Sequence, residues 1–176
     1  MRVGDFGMGS GELVGTRVTL RVVCVDFLSE YCRMFSVTVR TVLHVSSLYV
    51  EGKYVLRFCH NKSKKNVFFY CIFDNTTQQL IGAVAIRDVQ ESAGQLYAWI
   101  NEQFWGGGRY QEALTLACEQ YFTLTQFCVL TAHVDMSNKR SYYALKKNGF
   151  ADVALKNGPY GKQYVLVLRK KNNMGN

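Results

Sequence analysis

Asn101-Glu-Gln-Phe-Trp-Gly-Gly-Gly-Arg-Tyr-Gln-Glu-Ala-Leu114 sets three consecutive glycines between an apolar run, Leu96 to Ile100, and a helical pattern starting near Tyr110. Strand, glycine loop and helix in that order turn backbone N–H groups and a helix N-terminus toward an anion, usually a phosphate. Glycine suits such a loop because it has no Cβ to hold a phosphate off the backbone, and it takes positive φ without strain. The same stretch also reads as a tight strand-to-helix turn that binds nothing. The glycines alone leave both readings open.

Upstream, a polar turn from Asp88 to Gly94 leads into a strand at Gln95–Ile100. Before it, Val67–Asp74 and Gln79–Arg87 read as a hairpin about Asn75-Thr76-Thr77. Earlier still, Arg17 to Val23 alternates, with Val18, Leu20 and Val22 on one face, and predicts the first strand. Asp26 is placed to cap a helix running to about Phe35, with Phe27, Leu28, Tyr31 and Phe35 at helical spacing. Thr38 to Phe58 stays ambiguous: Val42, Val45, Leu48 and Tyr49 fit a helix, against a high β-branched content. His60 to Asn66 reads as a polar, basic loop.

Downstream, Leu114, Ala117, Tyr121 and Leu124 recur at helical spacing, and Glu112 falls in the first turn, where the helix dipole favours an acid. Phe127 to Val134 is another β-rich run. Ser137 or Asn138 can cap a helix ending at Gly149, with Lys146 and Lys147 in its last turn. Phe150–Leu155 and Gln163–Leu168 read as strands around the turn Asn157-Gly-Pro-Tyr160. Antiparallel strands first and a β-α-β-α-β second half predict an α/β fold built on one mixed sheet. The expected organisation is a leader at 1–13, a single domain at 14–170 and a tail at 171–176.

At 176 residues and 48% hydrophobic, with a single proline, the chain suits one domain with a sizeable core. The longest apolar run, Val67 to Phe73, is far too short to cross a bilayer. The stretch Met1 to Gly7 has neither an apolar signal core nor a glycine at position two, so a soluble cytoplasmic protein without a membrane partner is expected. The six cysteines form no C-x-x-C pair, and His44, His60 and His133 lack metal-ligand spacing, so buried thiols and no metal are expected. His133 reads as a structural strand histidine or as half of a cysteine–histidine nucleophile pair. The net charge of +8 gathers in Lys62/Lys64/Lys65, Lys139/Arg140, Lys146/Lys147 and Arg169/Lys170/Lys171, which suits phosphate-bearing cofactors, acidic substrates or RNA.

Four local patterns, in order, resemble the GNAT acetyltransferases, specifically the RimJ/RimL-like ribosomal-protein N-terminal acetyltransferases. Thr19-Leu20-Arg21 with Asp26 resembles that group's opening strand and helix, and Leu80-Ile81-Gly82 its third strand. Trp105-Gly106-Gly107-Gly108 with Glu112-Ala113-Leu114 resembles its cofactor loop and helix. Asn138-x-x-Ser141…Leu145-x-Lys147-x-Gly149-Phe150 resembles its later helix. The likeness runs from about Leu13 to Lys170. It implies a mostly antiparallel sheet of about six to seven strands flanked by helices and splayed beside the fourth strand, with acetyl-CoA in the opening as co-substrate.

On that resemblance the amides around Trp105, Gly106, Gly107, Gly108, Arg109 and Tyr110 hold the pyrophosphate. The main chain of Trp99, Ile100 and Asn101 pairs with the pantetheine arm, and Asn138 hydrogen-bonds the cofactor; its other reading is a plain helix cap. Two registers fit the loop, with either Gln103 or Trp105 in first place. Many members of the wider superfamily carry a tyrosine acid where this chain has Leu145.

Acetyl transfer to an amine needs an oxyanion donor, a proton for the leaving thiolate and a base for the amine. The resemblance makes Ser141 the acid, with Tyr142 and Tyr143 as neighbours able to substitute. Asp88, Glu91, Glu102 and Asp135 are the base candidates, each also readable as a solvated carboxylate. The acceptor implied is a protein N-terminus or a small-molecule amine, with association with the ribosome as a further partner. Two other functions stay open: an acetyl-CoA-binding module without catalysis, suggested by Leu145 and the unassigned base, and an RNA- or ribosome-binding protein, suggested by the charge.

Overall fold

The computed structural model describes residues 12–60, 67–90 and 93–170. Among the described residues there are eight strands: β1 Leu13–Val14, β2 Val18–Val22, β3 Val67–Asp74, β4 Leu80–Gln90, β5 Ala93–Ile100, β6 Val129–Asp135, β7 Ala151–Gly158 and β8 Gly161–Arg169. They form one sheet in the order β1-β2-β3-β4-β5-β6-β8-β7. Every neighbouring pair is antiparallel except β5 and β6. The expected strand count of six to seven is low because β1 is two residues long, too short to show a period.

Five helices among the described residues flank the sheet: α1 Leu28–Met34, α2 Val37–Leu43, α3 Leu48–His60, α4 Arg109–Leu124 and α5 Lys139–Lys147. The ambiguous stretch is therefore helical. Its β-branched residues are overruled by tertiary packing: Val39 and Val55 are buried, against the sheet face that carries Phe69 and Phe73. One continuous helix is ruled out by His44, which ends α2 at φ +55. Ser36 caps α2, its hydroxyl accepting from Val39 N at 3.2 Å. Asp26 is not a cap. It sits inside the 3-10 turn Val25–Phe27, whose N-cap is Cys24 without a side-chain bond. His60, expected in a loop, is the last residue of α3.

Strand alternation divides the core in two. On one face Leu114, Ala117 and Tyr121 of α4 pack on Val84, Ile86, Leu96 and Leu130. On the other, Tyr31, Phe35, Val39 and Val55 cover Phe69, Cys71, Ala83, Ala85 and Trp99, all from β3 to β5. The same face of β6 to β8 contributes nothing to that second core. It forms one wall of the functional cleft.

Two ion-paired acids fasten the start of α4. Glu112 accepts from the N–H groups of Thr16 (3.0 Å), Arg17 (2.6 Å) and Val18 (2.9 Å), so it satisfies the turn between β1 and β2 as well as the helix end. Asp74 accepts from Arg109 Nε, from Thr76 N at 3.0 Å and from Thr77 N at 2.8 Å, with its side chain 1% exposed. Burial opposes ionisation of Asp74, but the Arg109 hydrogen bond and charge and the two turn amides outweigh it and hold the carboxyl below its ordinary value. A lowered folded pKa means stabilisation that is present above the ordinary carboxylate range and lost as pH falls through the lowered value. Asp74→Asn is expected to cost about 1–3 kcal/mol at neutral pH. In urea titrations the gap between the two proteins should close on acidification; a gap independent of pH would show that the charge contributes nothing.

Candidate active site

After β5 the chain makes a 3-10 turn, Glu102–Phe104, capped by the Asn101 side chain, which accepts from Gln103 N at 3.0 Å and donates to Met34 O at 2.8 Å. This turn uses the Phe104 amide (to Asn101 O, 2.9 Å) and the Trp105 amide (to Glu102 O, 3.3 Å). Gly106, Gly107 and Gly108 follow with φ of +91, +61 and +77. That run of left-handed backbone is open to glycine and strained for side-chain-bearing residues. The first internal bond of α4 runs from Glu112 N to Gly108 O at 3.0 Å. The N–H groups of Gly106 through Gln111 accordingly have no partner among the described residues. Six orphan amides at the positive end of a sixteen-residue helix are the donors that an anion cradle requires.

The amides of Gln103 and Trp105 are both consumed, so the free donors begin at Gly106 in either register of the motif. Trp105 contributes its indole, which donates to Ile100 O at 2.9 Å and lies 4.1 Å from the Arg140 guanidinium. The Arg109 side chain is committed to Asp74. Its amide is free.

Beside the cradle the sheet parts. β5 and β6 pair at Gly94/Leu130, Gln95/Thr131 and Leu96/Ala132, and no further. Asn101 N bonds Ile81 O at 2.8 Å, so ladder alternation turns Trp99 and Asn101 toward β4, and Ala98 and Ile100 toward the gap. Ala98, missed in the sequence, therefore offers main-chain groups to the opening, whereas Asn101 N–H is already used. The Trp99 ring is a core element, its Nε1 donating to Tyr31 Oη at 3.2 Å.

Asn138 caps α5, its Oδ1 accepting from Ser141 N at 3.1 Å, and lines the cavity. Its Nδ2 donates to no described residue. The Ser141 hydroxyl meets that of Tyr110, whose phenol burial pushes up to about 12 against the opposing Ser141 contact, so it stays protonated. Tyr142 turns away, donating to Asp152 Oδ2 at 3.0 Å, while Tyr143 lines the cavity. Leu145 is buried in the core.

The carboxylates fare unequally. Glu91 and the side chain of Asp88 lie outside the described residues, as do Lys62, Lys64 and Lys65. Glu102 accepts from Ser36 Oγ at 2.5 Å; burial raises its pKa, but the Ser36 bond and neighbouring donors lower it more, leaving a weak base. Asp135, at the end of β6, accepts from Gln163 Nε2 at 2.7 Å and pairs with His44 Nε2 at 2.5 Å. His44 also stacks on Tyr160, with centroids 4.1 Å apart. No sequence spacing links His44 to Asp135, 91 residues away. His133 meets Gln95 Nε2 at 3.1 Å and Lys156 Nζ at 2.9 Å, so the cysteine–histidine pair is not formed. Burial first, then the Lys156 charge, lowers its pKa.

Gly106, Tyr110, Asn138, Ser141, His44 and Asp135 all line one cavity of about 1000 Å³. The described residues contain no cluster of three metal-ligating side chains, and no helix long and apolar enough to cross a membrane.

A family profile for the acetyltransferase (GNAT) domain matches residues 17–151. The chain belongs to the GNAT acetyltransferases. No curated protein matches it in sequence. Among solved structures, the acetyl transferase of Salmonella typhimurium that modifies the N-terminal serine of 50S ribosomal subunit protein L7/L12 superposes with TM-score 0.79 at 14% identity, covering 92% of this chain and 100% of that one. The ribosomal-protein-S5-alanine acetyltransferase of Vibrio fischeri gives TM-score 0.75 at 13% identity, with 92% and 98% covered. Spermidine N-acetyltransferase of Vibrio cholerae, solved with CoA and spermine, gives 0.73 at 15% identity, with 89% and 97% covered. At these identities the likeness is one of fold.

Proposed function

We propose that the protein moves the acetyl group of acetyl-CoA to a primary amine, on a protein N-terminus or a small molecule, in the gap between β5 and β6. The observation that carries this reading is the six unbonded amides at the start of α4, set beside parallel strands that part after three pairs. The residues present fit the cofactor: the amides of Gly106, Gly107, Gly108, Arg109 and Tyr110 suit a diphosphate, and Arg140 and Lys147, which line the same side, pair with no carboxylate among the described residues. Bound acetyl-CoA supplies an activated thioester. Ala98 and Ile100 hold the extended arm by main-chain bonds, with the Ile100 N–H as oxyanion donor, and Asn138 Nδ2 steadies it from the other wall.

Ser141, backed by the protonated Tyr110, gives a proton to the departing sulfur. His44 takes the proton from the amine: with Nε2–H held by Asp135, Nδ1 is the basic nitrogen. The amine acceptor is supported by the neighbours named above, an N-terminal-serine, a ribosomal-protein-S5-alanine and a spermidine acetyltransferase. Those names extend the reading to a cytoplasmic enzyme that meets ribosomal proteins.

Titration calorimetry with acetyl-CoA tests the cradle. Micromolar binding is expected, and Gly108→Glu should weaken it at least about tenfold, because a side chain at φ +77 is strained and its carboxylate adds a like charge beside the diphosphate. No binding at millimolar acetyl-CoA sinks the proposal. Binding without thiol release across amines would make the protein a cofactor-binding module.

A further inference from the structure

The acceptor half of the cleft differs electrostatically from the cofactor half. Five Lys or Arg residues line the cavity, Arg87, Lys139, Arg140, Lys147 and Lys156, against two carboxylates, Glu51 and Asp135. Lys139, Arg140 and Lys147 stand on α5 beside the glycine loop. The other two are on the far side. Sheet register puts Arg87, Gln95, His133 and Asp135 on one face, because Arg87 pairs with Gln95, and Gln95 with Thr131, two residues before His133. Asp135 pairs with Gln163, and Gln163 with Lys156, which extends the row across β8 to β7.

Neither distal cation forms an ion pair with a described carboxylate. Arg87 forms no ion pair among the described residues; its guanidinium lies 4.2 Å from the Tyr54 ring and 4.6 Å from the Tyr97 ring, and its Nε is buried without a partner. Among the described residues Lys156 reaches the His133 ring alone, at 2.9 Å from Nδ1. Both nearby acids are occupied: Glu51 accepts from Tyr31 Oη at 2.6 Å, and Asp135 is held by His44 and Gln163. The Lys156 ammonium lies against the His133 imidazole, whose pKa is lowered by burial and then by that charge, and no described carboxylate stands within ion-pair distance of it. The uncovered face of β6 to β8 leaves this row open to a ligand.

We infer that the acceptor amine carries an oxyanion, a carboxylate or a phosphate, which docks on Lys156 and the His133–Gln95 pair, with Arg87 as the second cation of the row. The anion supplies the ion pair that no described carboxylate gives Lys156 or Arg87, and its distance from the amine sets which acceptors present nitrogen to His44. Polyamines are disfavoured on the same ground, since a second ammonium would meet Lys156 or Arg87. This inference rests on the acetyl-transfer reading.

Matched amine pairs test it: 4-aminobutyrate against butylamine, phosphoethanolamine against ethanolamine, and the peptides Ser-Glu-Ala-amide against Ser-Gln-Ala-amide and Ser-Lys-Ala-amide. The acidic member of each pair is expected to show kcat/KM about tenfold or more higher, through KM, and the first two pairs separate carboxylate from phosphate. Lys156→Gln should bring that ratio near one, and Lys156→Arg should keep it. Calorimetry with 4-aminobutyrate and phosphoethanolamine reads the same site without turnover. Acetyl transfer that ignores charge, or a ratio untouched by Lys156→Gln, overturns the inference and spares the transferase. Lys156-dependent binding of acidic amines without any acetyl transfer overturns the transferase and spares the anion site. No binding of either acidic amine overturns the inference whatever acetyl-CoA does.

Discussion

His44→Gln is expected to lower kcat for acetyl transfer by about 10²–10³, the size of a lost general base, with a much smaller change in the KM for acetyl-CoA. An aliphatic amine is mostly ammonium at neutral pH and becomes a nucleophile only after surrendering a proton. His44 is suited to take it because Asp135 fixes Nε2 from one side, at 2.5 Å, and the Tyr160 ring fixes the plane of the imidazole from the other. Arg40, on the same helix, is the nearest cation of its own element lining that surface. Asp135→Asn should cost about tenfold to a hundredfold, since an amide can still meet the ring but no longer selects its tautomer. The deficit of both variants should narrow as pH rises toward the pKa of the acceptor, where the amine arrives already unprotonated. A His44→Gln enzyme within about threefold of wild-type kcat at neutral pH would remove His44 from the chemistry.

The half of the site proposed for the cofactor is legible in the sequence because it is local. The strand, the three glycines and the Asn138-x-x-Ser141 helix start are each a few residues long, and each carries its own reason: a positive φ, an orphan amide, a cap. The acceptor half is not, because it is assembled across the chain. His44 finds Asp135, Lys156 finds His133, and Arg109 finds Asp74 only once the sheet has ordered its strands. The same holds for Glu112, which satisfies helix electrostatics as read but owes its position to three amides some 95 residues upstream. The stretch from Thr38 to Phe58 resisted reading for a related reason. Its helices bury a few apolar residues against β3 to β5 and leave Val37, Val42, Tyr49 and Val50 exposed, so no clean stripe marks them. A short helix turning at a left-handed histidine leaves almost no periodic trace.

Gly82→Ala and Gly52→Ala make the same chemical change and are expected to move stability in opposite directions. A Cβ at Gly82 would stand 2.2 Å from Trp99 O and 2.9 Å from both Cα and Cγ1 of Ile100. The first two are backbone atoms of the neighbouring strand and cannot rotate away, so β5 itself must shift. Overpacking of this kind costs about 1–3 kcal/mol. At Gly52, inside α3, the new methyl meets only Cys32 Sγ at 3.7 Å, an ordinary contact. Alanine there restores helix propensity and should stabilise by about 0.5–1 kcal/mol. Urea midpoints measured side by side give the two signs directly, and a Gly82→Ala protein as stable as wild type would mean that β5 yields at no cost. The consequence for function follows from which part of β5 is pushed. Trp99 and Ile100 lie where β5 has already left β6, so displacing them moves the unpaired edge that offers Ala98 and Ile100 to the gap. Gly82→Ala should therefore weaken acetyl-CoA binding, although residue 82 does not line the cavity, while Gly52→Ala leaves it unchanged. The glycine in Leu80-Ile81-Gly82 is thus required by the approach of two backbones, and through it by the shape of the gap proposed for the cofactor.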